Sequence, residues 1–131
     1  MHQLQEEGRP PGGSVAAAIS NAVVRLMAEY TGRGPTKAKT VIGENSVMVL
    51  LQDTMTKGER SLASDGKSDL VLQMRQQFQR TMRDDLVGAI EMLLEREVVA
   101  FMSDNHIDPD MGVEVFVLAP QAETDGASAS Q

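Results

Sequence analysis

The chain has 131 residues, 12 Lys+Arg against 19 Asp+Glu, and a formal net charge of -7. It has no Cys, which excludes a disulfide framework, Cys-ligated zinc, an iron–sulfur cluster and a cysteine nucleophile. No apolar run nears the roughly 20 residues that span a bilayer, and the acidic balance with 3% aromatic residues disfavours nucleic acid as a partner.

The remaining composition describes a foldable chain. At 41% hydrophobic it buries a core made of Val, Leu, Ile, Ala and its 9 Met rather than aromatic rings. Residues 1–13 and 120–131 are rich in Pro, Gly, Ala and Ser, have no apolar period, and read as disordered tails. The start of the chain also lacks the basic and apolar stretches of a signal peptide. The expectation is one cytoplasmic domain over 14–119, without a cofactor.

Helical spacing begins that domain. Val15, Ile19, Ala22, Val23, Leu26, Met27 and Tyr30 recur at intervals of three and four, with Ser14 as N-cap and Gly32 past the end. Gly34 and Pro35 enforce a turn. Residues 36–52 then read as a β-hairpin. Its second half, SVMVLLQ, is continuously apolar and predicts burial on both faces. Thr56 and Glu59 stand at capping-box spacing for a short helix over 54–66.

A long helix follows over 68–96. Its apolar stripe holds Val71, Met74, Phe78, Met82, Leu86, Ala89, Ile90 and Leu93. Residues 98–103 and 111–119 predict a second strand pair, separated by turn chemistry in DNHIDPD. The order is α-ββ-α-α-ββ. It predicts an α+β fold in which two hairpins form one mostly antiparallel sheet, packed by the N-terminal helix and the long central helix.

Three constellations are candidates for chemistry. TGRGPTKAK gathers Arg33, Lys37 and Lys39 without an acid, a candidate anion or partner site. It lacks P-loop spacing, and a helix stop followed by a soluble edge strand accounts for it more simply. Asp104, His106, Asp108 and Asp110 alternate in one loop and offer metal-ligand chemistry, but the EF-hand pattern fails and turn chemistry is the simpler account. Arg75 falls inside the apolar stripe, where a charge needs a partner; Asp53, Asp85 and Glu114 are the candidates. Arg75 and His106 join the basic turn as candidate ligand-binding residues. No G-x-S-x-G elbow or H-E-x-x-H helix is present, and Asp84–Asp85 point apart on a helix.

Three segments in order, GRGPTK at 32–37, MRDD at 82–85 and AFMSDNHIDPD at 100–110, carry a resemblance over about 19–120. There the chain resembles the MpsC-like domain, a small bacterial family. The family name implies a cation-translocating, membrane-potential-generating system. The resemblance supplies no catalytic residues. It implies a soluble accessory to a membrane-transport protein of the cation or inorganic-carbon type. Together with the missing catalytic set and the two recognition loops, this predicts a non-enzymatic accessory domain that engages such a protein or a small anion, and that forms a homodimer or larger homo-oligomer through an edge strand or a Met-rich helix face. Such a domain would sit at the inner face of the membrane through that partner. The alternatives are a small-anion or nucleotide-binding regulatory module, an RNA-binding module and a metal-dependent enzyme.

Overall fold

A computed structural model describes residues 11–121. Helix α1 spans Pro11–Thr31, so it begins three residues before the expected N-cap at Ser14. Proline suits a first helical position, because its φ is already helical and its missing N–H would have had no partner there. Residues 1–10 and 122–131 of the expected tails lie outside the described residues. Gly32 ends α1 at φ 84, its N–H donating to the Ala28 carbonyl at 2.8 Å.

Strands β1 (Lys37–Ile42) and β2 (Ser46–Gln52) form the expected first hairpin. Thr56 caps helix α2 (Lys57–Ser64): its Oγ1 accepts from the Glu59 N–H at 3.1 Å, and Glu59 Oε1 accepts from the Thr56 N–H at 2.8 Å. This is the capping box that the spacing predicts. Helix α3 runs from Ser68 to Leu94 and ends where Glu95 turns left-handed at φ 55. Strands β3 (Val98–His106) and β4 (Met111–Leu118) complete an antiparallel sheet of order β1-β2-β4-β3. The fold is α+β, in the order α-ββ-α-α-ββ.

Helices α1 and α3 supply Ile19, Val23, Met27, Met82, Leu86 and Ile90 to the core. The sheet supplies Val47, Val49, Leu51, Phe116 and Leu118. A Ser20–Thr40 hydroxyl bond of 2.7 Å ties α1 to the edge strand on this same face. Register then fixes the opposite face: Lys39, Val41, Met48, Leu50, Val113, Val115, Met102 and Asp104.

That opposite face corrects one expectation. Strand β2 alternates instead of being buried on both sides: Val47, Val49 and Leu51 have no exposure, but Met48 is 39% exposed. The described helices cover one side of the sheet, so half of the apolar run has nothing above it. The expected loop over 104–110 is also shorter. Asp104, Asn105 and His106 pair with Val113, Gly112 and Met111 and extend β3, leaving four residues to make the turn. On α3, Arg75 and Gln79 are buried within the stripe, whereas Leu93 is exposed.

Candidate functional site

The end of the sheet where β1 and β4 begin gathers the polar residues of three separated segments. After β2 the chain turns sharply at Asp53, which takes up φ 57. Asp tolerates this left-handed conformation better than most residues. The turn aims the Asp53 carboxylate back at the GRGPT segment. Arg33 Nη2 donates to Asp53 Oδ2 at 2.8 Å, and Arg33 Nη1 donates to the Asp53 and Met55 carbonyls at 2.7 and 3.0 Å. Thr36 Oγ1 donates to Asp53 Oδ2 at 2.9 Å, and Arg60 pairs with Asp53 Oδ1. The Thr36 hydroxyl and then the Arg33 guanidinium hold the Asp53 carboxyl below its ordinary range.

Asp110 closes the network from the β3–β4 turn. Its Oδ1 accepts from Thr54 Oγ1 at 2.7 Å, and its Oδ2 accepts from the Met55 N–H at 2.9 Å. Arg60 Nη2 stands 3.4 Å from the same carboxylate. Burial works against its ionisation, but the Thr54 and Met55 bonds outweigh it and hold this carboxyl low as well.

Arg75 lies one layer deeper. Its partner is Glu59, not Asp53, Asp85 or Glu114: Nη2 donates to Glu59 Oε1 at 2.7 Å and Nε donates to Oε2 at 3.2 Å. Nη2 also donates to the Thr54 carbonyl at 2.8 Å. Both side chains are more than nine-tenths buried. Two of the other candidates are engaged elsewhere. Asp53 holds Arg33, and Asp85 accepts from the Tyr30 hydroxyl at 2.6 Å. The helical wheel reveals that Arg75 needs a partner. It carries no sign that the capping glutamate of the preceding helix supplies one.

These contacts determine what the expected sites look like. Arg33 and Arg75 spend their guanidinium groups inside the molecule. Lys37 and Lys39 point to the open face of β1, away from Arg33's partners. Asp104 and His106 share that open face on the far edge of the sheet. Asp108 is exposed in the turn, and Asp110 faces inward. The four residues therefore do not converge on one point, and among the described residues no three His, Cys, Asp or Glu gather where a metal would bind. A surface cleft of about 520 Å³ adjoins the network, lined by Arg60, Ser64, Ser68, Asp108 and Asp110 among others.

Two further residues take up positions that no sequence pattern marks. Arg96 donates to the Glu44 and Ala119 carbonyls at 2.8 and 2.6 Å and to Asn45 Oδ1 at 2.8 Å, clamping the first hairpin's turn to the end of β4. Glu114 faces the core at 1% exposure, and its Oε1 has no hydrogen-bond partner among the described residues. Burial pushes its carboxyl up to about 7. The Ser103 hydroxyl paired opposite it falls short of a full hydrogen bond. Its proximity and the Arg75 charge still pull the other way, against burial.

The class of protein defined here is an α+β domain with a polar clasp at one end of its sheet and one sheet face open. A family model described as Na+-translocating membrane potential-generating system (MpsC) matches residues 12–120, and the chain belongs to that MpsC family. Comparisons with curated proteins and with solved structures give no match. Among the described residues no helix is long and apolar enough to cross a membrane.

Proposed function

We propose that this chain is a non-enzymatic accessory domain that acts through protein contacts in a Na+-translocating, membrane-potential-generating system. The observation that carries this reading is the uncovered sheet face, where Val41, Met48 and Met102 are 47%, 39% and 53% exposed. Contiguous apolar surface of this kind marks an interaction site more often than scattered exposed residues do. The family name supplies the system in which the contact is made. The polar clasp supports the same reading, because its carboxylates and guanidinium groups satisfy one another and brace the sheet. The accessory domain assembles with itself and reaches the membrane through a spanning partner, from the cytoplasmic side.

Affinity capture of the tagged full chain from detergent-solubilised membranes of its native host tests the partner. Recovery of a membrane-spanning protein of a cation or inorganic-carbon transport system is the expected result. Recovery of soluble proteins alone overturns the reading.

A further inference from the structure

The open face carries a charge pattern as well as apolar surface. Strand register sets its residues in rows running from β1 to β3. One row reads Val41, Met48, Val115, Met102; the next reads Lys39, Leu50, Val113, Asp104. The second row thus begins with a cation on one edge strand, ends with an anion on the other, and is apolar between them. Three strand spacings, about 14 Å, separate Lys39 from Asp104, too far for them to pair within one chain.

We propose that a second copy of this chain packs face to face on this surface, about a two-fold axis parallel to the strands. The inference rests on the reading of the open face as a contact surface, and it names the occupant. Rotation about such an axis lays β1 of one protomer over β3 of its partner and keeps each row over itself. Lys39 then meets Asp104 of the partner subunit, and the reciprocal pair forms at the opposite edge. Between them, Leu50 lies over the partner's Val113 and Met48 over the partner's Val115. A two-fold axis across the strands would instead set β1 on β1 and bring lysines together. The Lys39–Asp104 row therefore selects both the partner and its orientation, and the row beside it sets Lys37 over the partner's His106. Two sheets stacked in this way are an aligned sandwich about 10 Å deep, and the contact is self-complementary, as a two-fold interface requires.

Sedimentation velocity on the full chain at micromolar concentrations tests the proposal. The wild-type chain should sediment as a dimer. Lys39→Glu and Asp104→Lys, both at exposed positions, should each weaken the dimer about tenfold or more, because like charges then face each other at both edges. Far-UV circular dichroism checks that each variant keeps its fold. An equimolar mixture of the two variants should recover wild-type dimerisation: the acid introduced at position 39 faces the lysine introduced at position 104, and the native pair survives at the other edge.

Three results overturn the proposal: a wild-type monomer throughout the range, a dimer indifferent to either substitution, or a mixture that stays monomeric. A monomer whose Met102 is protected only on adding the captured membrane protein assigns the face to that protein. That result rejects the second copy and leaves the accessory reading standing.

Discussion

Arg75 and Glu59 show how one residue's role depends on several neighbours at once. Glu59 caps its own helix and neutralises a charge on the next one. Removing the cation alone leaves a buried carboxylate unpaired, so Arg75→Met should destabilise the fold by about 3–5 kcal/mol in urea unfolding. Adding Glu59→Gln should return part of that loss, since Gln still serves the capping box. If the double variant is less stable than Arg75→Met, the charge is not the cause. Glu114 makes a prediction of opposite sign from the clasp carboxylates. Its folded pKa is raised, so the native state holds the proton more tightly than the unfolded chain. Its contribution therefore weakens stability as pH rises from about 4.5 to about 7, and the penalty levels off near 3 kcal/mol at order of magnitude. Glu114→Gln should be the more stable protein at about pH 8, with a thermal midpoint that no longer falls across that window. Asp53 and Asp110 have lowered pKa values, so their contribution is present above the ordinary carboxylate range and is lost as pH falls through their folded values.

At the scale of elements, local signals suffice where the local chain decides. The capping box at Thr56, the stop at Gly32 and the bounds of β2 all follow from neighbouring residues. Gly34 is a different case. A Cβ built there would lie 2.8 Å from the Val24 carbonyl oxygen and 3.1 Å from Val24 Cγ1. The turn thus needs glycine because it presses on the helix before it. Gly34→Ala should cost about 1–3 kcal/mol, read as a drop in the thermal midpoint; an unchanged midpoint would mean that the turn moves aside freely. In β4 valines alternate with Glu114, Phe116 and Leu118, and no local signal says which half is inside. The core takes Glu114, Phe116 and Leu118, and the valines face out. Phe116 decides it, packing on Phe101 at a ring separation of 5.0 Å.

For the whole molecule, the methionines divide by position rather than by composition. Met27, Met55 and Met82 are buried, whereas Met48, Met92 and Met102 are exposed. The methionine-rich core inferred from sequence is therefore only partly a core, and part of it belongs to the open face. Dilute peroxide followed by mass spectrometry should oxidise Met92, at 79% exposure, fastest in any state. Met48 and Met102 should be slow in wild-type protein and fast in Lys39→Glu, where the stacked sheets separate. Equal rates in the two proteins would place these methionines outside any dimer contact.

Sequence alone determined the kinds of element, their order, the α+β class and the family, because hydrophobic period, caps and turn residues act over a few neighbouring positions. It also marked Arg75 as a charge in need of a partner. Tertiary structure decided the rest. Strand order and register select which half of each apolar strand is covered and which polar groups meet at the sheet's end. The lysines of the first hairpin stand on the open face of β1 while Arg33, in the turn before it, reaches Asp53; Asp104 stays on that open face while the turn after β3 carries Asp110 to Thr54 and Met55. Such pairings join residues far apart in the chain, and no local pattern records them.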